Sequence, residues 1–208
     1  MPSLLARSTV PALLIVLTGN VGAEPIVVLV QSYAKIDPRV LRRAEESAAR
    51  VLATGGVQAH WLECSESPQV RQQCQNPSRV PYFVVQLLPA GVTRRAAPTG
   101  SLGFAVPSER GHVGSFAGVF YDRVEKLSSR GFSEPTILGH AIAHEMGHLL
   151  LGVEGHSDRG IMKAEWRPKE LEQAVNGLLG FDPAQRRRIQ QNLQAFSSTL
   201  DAQSVPGN

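Results

Sequence analysis

The apolar positions in the first part of the chain predict alternating strands and helices. Residues 25–31 form a continuous β-branched apolar run, which is typical of a strand buried on both faces. Asp37 and Pro38 then predict a helix start, and apolar residues recur at helical spacing until Gly55. Residues 57–62 predict a second strand. A connection of this length favours a parallel pair of strands with a right-handed crossover.

The second part predicts further strands and then mainly helices. Three apolar segments predict strands, at residues 82–88, 103–106 and 113–121. Ser133 and Pro135 predict the start of a long helix that passes through His148, with Ser133 as the N-cap. Two more helices are predicted, from Pro168 to about residue 179 and from Pro183 to about residue 196. The fold class is therefore α+β, with a small and mainly helical C-terminal part.

The first 23 residues have the layout of a secretory signal peptide. Arg7 supplies one positive charge, residues 10–17 are apolar, and small residues end at Ala23. The apolar run is too short to span a bilayer as a helix, although an uncleaved anchor remains the alternative. We therefore expect a secreted or periplasmic protein without stable membrane insertion.

Composition and cysteine content limit the remaining chain. Residues 24–196 are enough for one domain with a sizeable core, and residues 197–208 read as a flexible polar tail. The net charge of +3 is too small to indicate binding to nucleic acid, and we expect a monomer. Cys64 and Cys74 are the only cysteines, and in an exported protein such a pair predicts a disulfide.

The candidate chemistry lies in the long apolar helix. His144, Glu145 and His148 spell HExxH among apolar neighbours. Residues four apart lie on the same face of a helix, so the two imidazoles can bind one ion, for which Zn²⁺ is the best candidate. Glu145 points about 100° away from His144 around the helix axis. It is therefore a poor ligand for the same ion but a suitable general base toward a water molecule.

A third ligand must come from chain that has left the helix. If the helix continued, His156 would lie about 12 Å further along the axis and could not share the ion. Gly152 and Gly155 permit a turn, so we expect the helix to stop near residue 151 or 152 and His156 to return to the metal. Glu165 or Glu170 is an alternative third ligand. His140, one turn before His144, reads mainly as a buried supporting residue.

The segment HEMGHLLLGVEGHS followed by GIM resembles the metzincin metallopeptidases, and its matrixin branch most closely. The resemblance implies zinc held by His144, His148 and His156, Glu145 as the catalytic base, Gly152 as the turn and Met162 as the methionine of the family's Met-turn. It also implies a mixed, twisted sheet of about five strands. One edge segment of this sheet, residues 101–106, would bind the substrate in extended form. Gly152 and His156 come one and two residues later than in the family pattern HExxHxxGxxH.

The sequence thus predicts a secreted zinc endopeptidase that acts on peptides or proteins, with residues 24–196 as its catalytic domain. A secreted binding protein that keeps the zinc site without turnover is the main alternative, and a structural zinc domain with His140 as fourth ligand is a weaker one. Gly147 in the middle of the helix costs about 1 kcal/mol relative to Ala, which predicts a close approach there, for which Met162 is the candidate.

Overall fold

The structure is a computed structural model that describes residues 23–64, 74, 81–92, 100–106, 116–152 and 155–203. Residues 1–22, which hold almost all of the predicted signal peptide, lie outside the described part, as do residues 204–208 of the predicted tail. Among the described helices, none is both long and apolar enough to cross a membrane.

Five strands form one mixed sheet. They are β1 (Glu24–Ser32), β2 (Val57–Glu63), β3 (Tyr82–Leu88), β4 (Gly103–Val106) and β5 (Phe116–Phe120). Their order is β2-β1-β3-β5-β4, and all neighbouring pairs are parallel except β4 and β5. The α+β fold class and the parallel β1/β2 pair are confirmed.

The described part contains five helices that flank or follow this sheet. They are α1 (Pro38–Thr54), α2 (Tyr121–Ser128), α3 (Glu134–Leu151), α4 (Pro168–Val175) and α5 (Pro183–Gln203). Asp37 caps α1 as predicted, because its carboxylate accepts a hydrogen bond of 2.7 Å from the backbone N–H of Arg39. Helix α3 carries the HExxH residues, and it packs along α1 and against β4 and β5.

Several predicted boundaries are wrong. Tyr121, predicted as the end of a strand, begins α2, and residues 113–115 of that predicted strand lie outside the described part. Helix α4 ends at Val175 instead of near residue 179, because Gly177 has a φ of 69° that a helix cannot accommodate. Helix α5 continues to Gln203, so residues 197–203 of the predicted flexible tail are helical.

The predicted cap of α3 is also only partly correct. Ser133 occupies the N-cap position, but its side chain makes no capping hydrogen bond to the backbone. Its hydroxyl instead pairs with the hydroxyl of Thr136, at 3.0 Å. Pro135 in the first turn fixes a helical φ, so the helix can start without the side-chain cap.

The disulfide between Cys64 and Cys74 is present, with a Cα–Cα separation of 6.0 Å. Cys64 directly follows β2, and its N–H donates a hydrogen bond to the carbonyl oxygen of Val30. Closing a loop of this size stabilises the folded state by roughly 2–3 kcal/mol in the chain-entropy model. A disulfide at this position is compatible with an extracellular protein.

A close contact between α1 and α3 fixes the position of the HExxH helix. A Cβ atom added at Gly139 would lie 2.6 Å from Cβ of Ser47 and would also meet the carbonyl oxygen of Ala44. The missing side chain thus lets the two helices approach closely, which places α3 against the buried apolar face of α1.

One carboxyl group is buried in α1, that of Glu45. Glu45 is 7% exposed, and its Oε1 has no hydrogen-bond partner among the described residues. Burial raises its pKa to about 7, helped by the charge of Glu63 and opposed by Arg42. The folded protein therefore binds the Glu45 proton more tightly than the unfolded chain does, where the value is near 4.5.

We predict that Glu45→Gln stabilises the protein at alkaline pH. A raised pKa gives stability that is fully present below the unfolded value and is lost as pH rises through about 7. At pH 8 the wild type must bury a charge that glutamine lacks, so the Tm of the variant should be about 2–4 °C higher. The difference should shrink at pH 5, and Glu46→Gln at the neighbouring exposed position is the control. An equal difference at both pH values would contradict the explanation.

Candidate metal centre

Helix α3 ends where the candidate ligands require it to end. Its residues from Ile137 to Leu151 are nearly all buried, and the last helical residue is Leu151. Gly152 follows in the left-handed conformation (φ 65°), and its N–H bonds to the carbonyl of His148 at 3.2 Å. This is the helix end that the sequence predicts, and glycine is the residue that adopts this conformation at least cost.

The structure brings His144, His148 and His156 together. Their ring centroids are 4.8–5.5 Å apart, and one nitrogen from each ring lies within 4.8 Å of the others. His144 is 8% exposed, His148 is half-buried and His156 is exposed. The cluster therefore has a buried floor and opens to solvent on the side of His156.

The orientation of His144 is fixed by a hydrogen bond to chain beyond the helix. Its Nδ1 lies 2.7 Å from the carbonyl oxygen of Ile161, so Nδ1 carries the proton and Nε2 presents a lone pair. Burial lowers the pKa of His144 to about 3, and the neighbouring His148 and His156 contribute. The ring is therefore neutral at physiological pH, which is the form that binds metals.

One of the nitrogen–nitrogen distances matches the distance expected around a tetrahedral metal ion. Two nitrogens bound to zinc at 2.0–2.1 Å lie about 3.3 Å apart at a tetrahedral angle. The Nε2 atoms of His144 and His148 are 3.2 Å apart. Within the described residues no fourth side chain is spaced to join the three imidazoles, an arrangement that suits Zn²⁺ with an open position. These three histidines could therefore hold a metal ion.

Glu145 lies at the junction of α3 and the edge strand. It is 5% exposed, and burial raises its pKa to about 8. A Cβ atom added at Gly103, the first residue of β4, would lie 2.8 Å from Oε1 of Glu145 and would also meet the carbonyl oxygen of Gly118. The sequence analysis did not identify Gly103, although a glycine inside a strand often marks a close approach.

Met162, in the chain that follows His156, packs against Gly147 of α3. It is fully buried, and a Cβ atom added at Gly147 would meet its sulfur and lie 2.9 Å from a ring carbon of Phe181. The predicted close approach at Gly147 is confirmed. The carbonyl of Met162 also accepts a hydrogen bond of 2.8 Å from the N–H of Ser157, next to His156.

The alternative ligands lie elsewhere. Glu170 is engaged by the Lys163 ammonium at 2.6 Å and by the N–H of Arg167 at 2.9 Å, and hydrogen bonds to Lys163 and Arg167 lower its pKa. Glu165 is exposed. His140 directs Nδ1 to the carbonyl of Thr136 at 2.8 Å. Within the described ranges, the histidine triad is the only group of three or more side chains spaced to hold a metal ion.

Two further residues near the site were missed by the sequence analysis. Trp166 is half-buried, and its ring meets the ring of His144 edge-on at 5.7 Å. Arg123 of α2 lies over the ring of Phe120 at 4.2 Å and bonds to the carbonyl and hydroxyl oxygens of Ser101, just before β4. Neither residue belongs to a recognisable motif, so only the folded chain identifies them.

Comparison with known proteins finds similarity among solved structures, at low sequence identity. The chain matches no model of a protein family, and no curated protein matches it. Among solved structures, it is similar to archaemetzincin from Methanopyrus kandleri, with 17% sequence identity and a TM-score of 0.46. The match covers 83% of this chain and 97% of the archaemetzincin chain. The function of the candidate metal centre therefore has to follow from the residues that form it.

Proposed function

We propose that this chain is an exported, monomeric zinc endopeptidase of the metzincin type, with a matrixin-like site. One observation carries the proposal: three histidines converge within metal-binding distance of one another. The buried carboxyl group of Glu145 lies on the same helix as His144 and His148. The disulfide supports export, which residues 1–23 predict from the sequence.

His144, His148 and His156 would hold the zinc ion, Gly152 makes the turn between them, and Met162 takes the Met-turn position. When bound, zinc supplies a Lewis acid that polarises a carbonyl group and acidifies a water molecule. Glu145 takes a proton from that water at its carboxylate and returns it to the leaving amine. Positive charge held at the three histidines would favour the carboxylate form of Glu145, so this side chain would be ionised where it is needed as a base.

The edge strand supports a peptide as the substrate. Strand β4 is the last strand of the sheet, and it pairs with β5 on one side only within the described residues. A peptide in extended form can add to such an edge through backbone hydrogen bonds. Because Gly103 of β4 contacts Glu145, a peptide on this edge would pass next to the proposed base.

We predict that zinc content depends on His156. The wild-type protein from residue 24 onward should hold about one equivalent of zinc by elemental analysis, and His156→Ala should lose most of it, because two imidazoles alone bind weakly. His60→Ala on β2 is the matched control, since His60 is exposed and lies outside the triad. Full zinc retention in His156→Ala would remove this ligand, and a metal-free wild type would overturn the proposed function.

We predict that Glu145→Gln lowers kcat for peptide hydrolysis by about 10²–10⁴-fold while zinc content is unchanged. Glutamine keeps the size of the side chain but cannot accept the proton. Cleavage of an unstructured peptide mixture, followed by mass spectrometry of the new termini, measures the effect. Glu165→Gln is the control and should leave both activity and zinc unchanged. Zinc binding without cleavage in the wild type would favour the non-catalytic binding protein.

A further inference from the structure

The chain that follows Met162 places the indole ring of Trp166 against α3. The ring centroid of Trp166 lies 5.7 Å from that of His144 and 6.3 Å from that of His140, at 81° and 88° respectively. Since His140 and His144 are four residues apart, a single indole covers two successive turns of α3. It is an edge contact in both cases, a favoured geometry for aromatic pairs.

The same segment therefore holds His144 at two points. The carbonyl of Ile161 fixes the position of Nδ1 at 2.7 Å, and the ring of Trp166 restricts rotation of the imidazole about that hydrogen bond. One hydrogen bond alone fixes a point on a ring, whereas a second contact away from it also fixes the plane. The plane of the ring decides where the Nε2 lone pair points.

Trp166 is itself held in place by its neighbours in the chain. Lys163 and Arg167, on either side of it, both bond to the carboxylate of Glu170. The Lys163–Glu170 ion pair is 2.6 Å long and largely screened from water, with side chains 27% and 9% exposed. The loop that carries the indole is therefore tied to α4 at both ends.

The polar atoms of Trp166 and His140 are complementary. His140 is 3% exposed and donates from Nδ1 to Thr136, so its Nε2 is an acceptor, while Nε1 of Trp166 is a donor. Both atoms are buried, and neither has a hydrogen-bond partner among the described residues. The contact between the two rings, at 6.3 Å between their centroids, thus joins the indole to α3 at a second residue besides His144.

We propose that Trp166, supported by His140, is a positioning residue that sets the plane of the His144 imidazole and so determines the metal affinity of the site. This inference rests on the three-histidine site of the proposed function. It assigns no contact with substrate to Trp166. Its effect is on metal binding, which can be measured without any peptidase assay.

The test is the zinc affinity of the protein from residue 24 onward, measured by competition with a chromophoric chelator. Trp166→Leu should weaken zinc binding by about 10–100-fold, as is usual when a group that orients a ligand is lost, and Trp166→Phe should lose less because it keeps a ring. Trp61→Phe is the matched control. Trp61 is the other tryptophan. It is also half-buried, and its Nε1 has no hydrogen-bond partner among the described residues, but it lies on β2.

Two further readouts separate positioning from general stability. The visible absorption bands of the Co²⁺-loaded protein should change shape in Trp166→Leu and stay unchanged in Trp61→Phe, because they report the ligand geometry. In Trp61→Phe the remaining tryptophan is Trp166, and Co²⁺ binding should quench its fluorescence strongly at this short distance from His144. If Trp166→Leu does not fold, Trp166→Phe carries the comparison.

The outcomes distinguish this inference from the proposed function. Wild-type zinc affinity and Co²⁺ spectrum in a folded Trp166→Leu protein would overturn the positioning role and leave the zinc site in place. A wild type that binds no metal would overturn both. A wild type that holds zinc but cleaves no peptide would remove the proposed activity, while the affinity series would still decide the role of Trp166.

Discussion

At Gly152 the chain leaves the axis of α3 in a left-handed turn, and the metal centre depends on this reversal. A helix can present two side chains to one ion from one face, but every later residue on it moves further along the axis. The third ligand must therefore come from chain that has turned back. The turn costs least at glycine, and here the glycine N–H bonds to the carbonyl of His148, the last candidate ligand on the helix.

The reversal is held in place by contacts with the helix it has left. Ile161 accepts a hydrogen bond from His144, Met162 packs onto Gly147, and Ile161 in turn bonds through its N–H to Gly180. The contacts of Ile161 with His144 and of Met162 with Gly147 each lie within one helical turn of a candidate ligand. The returning chain thus stabilises the fold and orients the imidazoles with the same atoms, so substitutions in this segment affect stability and metal binding together.

The sequence predicts those parts of the site that depend on local chemistry. HExxH spacing, the glycine after the helix and the cysteine pair are each specified by residues close together in the chain, and the α+β class follows from hydrophobic patterning. Gly103 and Trp166 could not be predicted, because their importance comes from contacts with residues far away in sequence. One boundary error has a similar origin: Tyr121 has high strand propensity, but its hydroxyl bonds to Glu134 at the start of α3, which favours the helix.

Burial shifts the pKa values of His144 and Glu145 in opposite directions. In the same apolar surroundings, the pKa of His144 falls to about 3 and that of Glu145 rises to about 8, so both groups are neutral at pH 7 in the protein alone. A neutral imidazole is ready to bind a metal ion, whereas a protonated carboxyl group cannot act as a base. Positive charge at the triad favours the ionised form of Glu145 and leaves the imidazoles neutral. Burial of this helix therefore sets the charge states of His144 and Glu145 as well as contributing to the stability of the fold.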